Sequence, residues 1–140
     1  GHVNPGVVCN EPVVSMDFYP TFLDIAGLKS TGKPLDGESL VSLFKQTGKL
    51  KKRDLYFHFP NYAWHMNNRL GGAVRSGDYK MIRNYDDQSV ELYDLKSDLS
   101  ETKNLVNQQP QLANQLNIKL TEWLKETDAL MPIPPNPTEQ

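Results

Sequence analysis

The chain has 140 residues, enough for one modest domain with its own core but short for two well-filled ones. Apolar residues make up 38% and charged residues 23%, and 15 basic and 17 acidic side chains leave a net charge of −2, mixed along the sequence. That balance excludes collagen-like, low-complexity and charge-driven disordered classes. It offers no basic stripe for nucleic acid beyond Lys49, Lys51, Lys52 and Arg53 beside Gly48, which read as a solvated turn.

Residues 1–14 carry two glycines and two prolines around a short Val-rich run, an extended entry into a helix. Ser15 or Asp17 can cap that helix, with Phe18, Phe22, Leu23, Ile25 and Ala26 as its apolar face and Gly27 as its stop. Pro20 stands near the first turn, where its missing N–H costs least. A turn-rich stretch over residues 29–37 leads to a second short helix over 39–44, ended before Gly48.

From Arg53 the hydrophobic period changes. Leu55, Phe57 and Phe59 alternate with Tyr56 and His58, the period of a strand. A loop over 60–70 leads to a second strand at 72–75. Ser76-Gly77-Asp78 reads as a tight hairpin turn before a third strand at 79–83, and Asp86-Asp87-Gln88 as a turn before a fourth at 90–95. Pro110 opens a long helix on which Leu112, Ala113, Leu116, Leu120, Trp123 and Leu124 form one stripe, suited to covering a sheet face. Residues 132–137 hold four prolines and read as a surface strap. The fold class is α+β: two short helices, a four-stranded antiparallel sheet and a covering helix. No apolar run reaches the roughly 20 residues of a membrane helix, and no signal peptide is visible, although a chain that starts with Gly1 reads as a piece of a longer one.

Candidate chemistry is sparse. Cys9 lies between Val8 and Asn10 without a basic neighbour, and a single cysteine excludes an intrachain disulfide and a multi-Cys zinc site. The three histidines, His2, His58 and His65, lack the helical pairing of a catalytic zinc motif. Asp86-Asp87 lacks calcium-loop spacing, and Asp98, Glu101 and Asn104 read as a polar turn capping a short helix. The exception is the density of His58, Asn61, Tyr62, Trp64, His65, Asn68 and Arg69 within a dozen residues. Aromatic faces interleaved with amides, imidazoles and a guanidinium suit a sugar or its sulfate groups, and packing of these aromatics on a neighbouring domain is the alternative.

Four segments in order carry a resemblance. Residues 12–27, PVVSMDFYPTFLDIAG, resemble the P-V-S-x-x-D-x-x-P-T-L-L-x-L-A-G run of type I sulfatases, and Leu35-Asp36-Gly37-Glu38-Ser39-Leu40 resembles the D-G-x-S-L that follows it. Residues 73–80, AVRSGDYK, resemble the A-[IV]-R-x-G-x-[WY]-K hairpin. Glu91-Leu92-Tyr93-Asp94-Leu95 with Asp98, Glu101, Asn104 and Leu105 is similar to E-L-Y-D-L-x-x-D-x-x-E-x-x-N-L. Phe57-His58-Phe59-Pro60-Asn61-Tyr62 resembles the F-H-Y-P-H-Y of a bacterial subgroup, with Asn61 in place of the second His.

The resemblance implies an alkaline-phosphatase-like parent enzyme, with residues 1–50 closing its large α/β domain and residues 51–140 forming its C-terminal subdomain. It implies a formylglycine nucleophile matured from C-x-P-S-R or S-x-P-S-R, and a calcium ion, both in the large domain. Cys9 is followed by Asn-Glu-Pro and does not match, so no catalytic residue, metal ligand or cofactor is carried over to this chain. His58, Asn61, Tyr62, His65 and Arg69 are the expected substrate rim. Expected partners are the large domain and a sulfated glycan, with self-association of the isolated chain through the uncovered first helix, and the expected location is periplasmic or secreted. A carbohydrate- or protein-binding module and a fragment of a related phosphodiesterase or phosphatase are the competing readings.

Overall fold

The computed structural model describes residues 3–32, 34–61 and 69–132. The chain divides into two compact units, 1–52 and 53–140.

The first unit is organised around one buried carboxylate. A 3-10 turn, Ser15–Asp17, runs into helix α1, Phe18–Ile25. Asp17 is fully buried: its Oδ2 accepts the Val14 N–H at 2.9 Å and its Oδ1 the Glu38 N–H at 3.0 Å. Thr21, one helical turn on, donates its hydroxyl to the Asp17 carbonyl at 2.6 Å and accepts the Leu40 N–H at 2.9 Å. Asp17 and Thr21 thus pin the returning segment 37–40 against the helix start. Gly37 is required by that approach, since a Cβ there would lie 2.1 Å from the Met16 carbonyl oxygen. The helix closes on a Schellman motif: Gly27 sits at φ 66°, with Leu28 N–H on the Leu23 carbonyl and Gly27 N–H on that of Asp24. Helix α2 is Val41–Phe44, two residues shorter at its start than the sequence suggests, because the Ser39 hydroxyl accepts the Val41 N–H and holds its own residue outside the helix. On α1 only Thr21 is buried, whereas Phe18, Phe22 and Ile25 are half exposed or more.

The second unit is a meander of β1 (Asp54–Phe59), β2 (Gly71–Ser76), β3 (Tyr79–Asn84) and β4 (Val90–Asp94), antiparallel and in that spatial order, followed by α3 (Pro110–Glu126). Gly77, at φ 60°, supplies the positive first position of the two-residue β2–β3 turn. The cross-strand row Tyr56, Val74, Met81, Leu92 faces α3, and Val74, Met81 and Leu92 form the core with Ala113, Leu116, Leu120 and Leu124. Tyr56 stacks flat on Trp123, ring centroids 5.0 Å apart. The helix stripe read from the sequence is the stripe that packs.

Residues 97–108 differ from expectation. They form turns rather than a short helix, and they seal the free edge of β4. Leu105 N–H bonds the Leu92 carbonyl at 2.7 Å, and the Asn104 Oδ1 accepts the Leu92 N–H at 3.1 Å and the Val106 N–H at 3.0 Å. The Asn side chain stands in for a strand backbone, which satisfies edge groups that would otherwise invite pairing. The Asp98 carboxylate holds this turn by accepting from Thr102 and Lys103, and Glu101 bonds Lys80 at 2.8 Å.

An ion pair closes the other end of the sheet. Lys119 on α3 meets Asp54 on β1 at 2.6 Å. Burial pushes the Asp54 carboxyl up, but hydrogen bonds from Lys119 and Ser76 and the Lys119 charge outweigh it and leave it below its ordinary value. The bond to Asp54 holds the Lys119 ammonium above its own, against some burial. Because the Asp54 value is depressed on folding, its stabilisation is present above the unfolded carboxylate range and is lost as acid titrates the folded group. The raised Lys119 value loses its contribution only in strong base. Lys119 is 45% exposed, so solvent screening limits the pair to under about 1 kcal/mol. Asp54→Asn should therefore lower stability by that small amount at neutral pH and flatten the acid limb below about pH 4, measured by urea unfolding across pH. An unchanged acid limb would contradict it.

Candidate functional site

Of the rim residues expected from the sequence, His58, Asn61 and Arg69 lie among the described residues. Strand alternation sends His58 to the α3 side of the sheet, next to Tyr56 in that face, and sends Phe57 and Phe59 to the other. The His58 ring is bonded at both nitrogens: Nδ1 lies 2.7 Å from the Tyr85 hydroxyl and Nε2 lies 2.8 Å from the Leu130 carbonyl oxygen. A carbonyl only accepts, so Nε2 carries the proton and Nδ1 receives the Tyr85 O–H. His58 therefore links β1, the β3–β4 turn and the segment after α3, and neither nitrogen is left to meet a ligand in this arrangement.

Gly72 makes the cluster possible. It stands in register between His58 and Arg83, and a Cβ there would lie 2.5 Å from the Tyr85 hydroxyl and 3.1 Å from Leu120. Tyr85 fills that slot edge-on to His58, with the Arg83 guanidinium 5.6 Å from its ring centroid. Arg83 donates to Asn117 and Thr121 on α3 at 3.1 and 2.9 Å. Burial pushes the Tyr85 hydroxyl above its ordinary value, with Arg83 acting against it. The sequence reading missed Tyr85, Arg83 and Gly72. The one available signal was a glycine within a β-forming run, which marks a close approach.

Asn61 and Arg69 stand at the two described ends of the β1–β2 loop, whereas Tyr62 and His65 lie outside the described residues, as does the proline-rich tail beyond Pro132. Arg69 lies near the Asp86-Asp87 turn, where the Asp87 carboxyl is held below its ordinary value by the Ser89 hydroxyl and N–H, with a smaller contribution from the Arg69 charge. On the sheet face away from α3 an open groove of about 850 Å³ is lined by Phe57, Phe59, Arg69, Ile82, Leu99 and neighbouring groups. Arg75, Lys80, Asn84 and Glu101 supply its polar lining, with Arg75 and Lys80 opposite each other in register. On β4 the Tyr93 hydroxyl donates to Glu91 at 2.8 Å. Burial and that carboxylate push the Tyr93 hydroxyl up to about 12.

Among the described residues no group of three or more His, Cys, Asp or Glu comes together as a metal site, and no helix is long and apolar enough to cross a membrane. Cys9 is a free, exposed thiol.

Comparison with known proteins gives these arrangements a context. The sequence profile described as "N-sulphoglucosamine sulphohydrolase, C-terminal" matches residues 1–129. A sulfatase of Formosa agariphila is 34% identical over 146 residues, covering 89% of this chain and 26% of that protein. An N-acetylglucosamine-6-O-sulfatase of Bacteroides thetaiotaomicron is 30% identical over 118 residues, covering 81% of this chain and 21% of that protein. Among solved structures, one determined in complex with its substrate D-glucosamine-2-N,6-O-disulfate superposes with a TM-score of 0.66 at 28% identity, over 86% of this chain and 25% of that one. The chain spans about a quarter of the length of the relatives it matches. With the antiparallel sheet, the covering helix and the sulfatase-like segments all in place, the chain belongs to the N-sulphoglucosamine sulphohydrolase C-terminal family, the C-terminal domain of sulfatases.

Proposed function

We propose that this chain serves as the C-terminal domain of a sulfuric ester hydrolase that acts on sulfated glycans, shaping the substrate cleft without performing the bond cleavage. The observation that carries this reading is the family match over residues 1–129, joined to the structural use of the motif residues. Asp17, Gly37, Gly77 and Asn104 each hold backbone in place, and none of them is arranged as a nucleophile, base or ligand. The relative named as an N-acetylglucosamine-6-O-sulfatase and the structure bound to a disulfated glucosamine support a sulfated amino sugar as the substrate class.

Calcium and formylglycine belong to the remaining part of such an enzyme. The described residues fit neither group: their acidic side chains do not cluster in threes, and Cys9 is followed by Asn-Glu-Pro rather than by a maturation motif. The large domain is the partner, and a periplasmic or secreted location goes with a polysaccharide substrate, to be read by fractionating cells that express the full-length protein. The exposed Phe18, Phe22 and Ile25 support self-association of the isolated chain, read as concentration-dependent mass in light scattering. A monomer at every concentration would count against it.

His58, Asn61, Tyr62, His65 and Arg69 form the rim in this reading, with distinct roles. Arg69 and Asn61 border the loop that would face substrate, and His58 acts from beneath by anchoring the strand that carries it. In the full-length enzyme, Arg69→Ala should raise KM for the sulfated glycan about tenfold with little change in kcat, the loss expected for one charge-assisted contact made equally in ground and transition states. His58→Ala should instead lower stability by about 1–3 kcal/mol, because the Tyr85 hydroxyl and the Leu130 carbonyl lose their partner. Unchanged kinetics in both variants would sink the rim assignment.

A further inference from the structure

We propose that Tyr85 is a positioning residue: it ties both roots of the connection between β1 and β2 to one point, and so fixes where Arg69 is held toward a sulfated substrate. This rests on the reading of Arg69 as a rim residue and deepens it by naming the group that sets the rim in place.

Three bonds meet at Tyr85. Its hydroxyl donates to Nδ1 of His58, on β1, at 2.7 Å. Its N–H donates to the Leu70 carbonyl at 2.9 Å, which carries the β2–β3 ladder one residue past the Gly71–Asn84 pair. Its own carbonyl accepts from Nε2 of Gln88 at 2.7 Å, so the turn that Tyr85 opens closes back on it. His58 lies on the strand that enters the connection and Leu70 lies where it ends, and one residue bonds both. Freedom lost at the two roots on folding is not lost again when ligand binds, which is how preorganisation favours affinity. Arg69 is the neighbour of Leu70, and its charge also acts on the Asp87 carboxylate in the turn after Tyr85. The same turn thus meets Arg69 through the backbone and through charge.

The packing directs the hydroxyl. Gly72 lacks the Cβ that would lie 2.5 Å from the hydroxyl oxygen, and the ring stands edge-on to His58 with the Arg83 guanidinium over it. Tyr85 is buried, so water competes poorly for its O–H. Nε2 of His58 donates to the Leu130 carbonyl, which leaves Nδ1 as the acceptor. A phenylalanine would fill the slot and leave that nitrogen unpaired. The hydroxyl, rather than the ring, is the link between β1 and the end of the connection.

The test is Tyr85→Phe in the full-length protein, alone and combined with Arg69→Ala. The substitution keeps the ring, its slot and the main-chain bond to Leu70, and removes the hydroxyl alone. KM for the sulfated glycan should rise about threefold to fivefold, the scale of one hydrogen bond, with kcat within about twofold of wild type. In the double variant KM should match that of Arg69→Ala alone, because a residue that acts through Arg69 has nothing left to position. Hydrogen exchange at the position-85 amide, the donor to Leu70, should quicken about threefold or more. A lower melting temperature with an unchanged KM would make Tyr85 merely structural and overturn the proposal. Additive losses in the double variant would overturn it too, as would exchange at that amide as slow as in wild type. A full-length protein that hydrolyses no sulfate ester removes the functional reading, and exchange at the position-85 amide still decides whether Tyr85 ties the two roots.

Discussion

Asp17→Asn is expected to cost the first unit about 2–5 kcal/mol, enough to unfold it in mild denaturant. The carboxylate has no exposure to water and uses its two oxygens on two separate backbone donors, Val14 N–H and Glu38 N–H. An amide offers one oxygen, and its NH2 would face the second donor, so one N–H is left buried and unpaired at about 1–3 kcal/mol, besides the loss of a charge-assisted bond. Asp17→Ala removes both acceptors and should be worse. Because Asp17 bonds Glu38, 21 positions further along the chain, the loss should appear as release of segment 37–40 rather than as fraying of α1. Urea unfolding followed by hydrogen exchange at Glu38 and Leu40 would read it. A shift below about 1 kcal/mol, the scale of an ordinary neutral hydrogen bond, would mean that water replaces the carboxylate.

Leu120→Ala should destabilise the second unit by about 3–4 kcal/mol, in the upper part of the range for buried leucines. Leu120 is fully buried in the core with Val74, Met81 and Leu92, and its Cδ2 reaches the space above Gly72. Removing it opens a cavity bounded by β2, β3 and the Tyr85 ring, so the His58–Tyr85–Leu130 chain should loosen as well. The half-buried Leu112, on the same helix stripe, should cost about 1 kcal/mol by the same scale of buried area. Thermal unfolding of both variants checks the ratio, and equal losses would contradict the assignment of Leu120 to the centre of the core.

Where periodicity carried the signal, the sequence was sufficient. Leu112, Ala113, Leu116, Leu120 and Leu124 recur at helical steps and pack on the sheet, and the alternation through Leu55, Phe57 and Phe59 is a strand. What the sequence concealed were contacts across distance. Asp17 reads as a helix cap because capping is local, whereas its Oδ1 also reaches the Glu38 N–H. Asn104 suggests a turn that caps a helix, but it seals the edge of β4, a task visible only once Leu92 lies beside it. His58 stands near Asn61 in sequence, but its ring partners, Tyr85 and Leu130, lie 27 and 72 positions away, beyond the reach of local pattern. Tyr85 carried no motif at all, since a tyrosine before a turn has many uses. Gly72 held the clue to its slot.

Sulfate release is the measurement that bears most directly on the central claim, that this domain supports a sulfatase without containing its chemistry. The 140-residue chain, incubated alone with an aryl sulfate and with a sulfated glucosamine, should release no sulfate above the buffer blank, with or without added calcium. The full-length protein should release it from its glycan substrate. Turnover by the isolated chain would place a nucleophile within these residues and contradict the account.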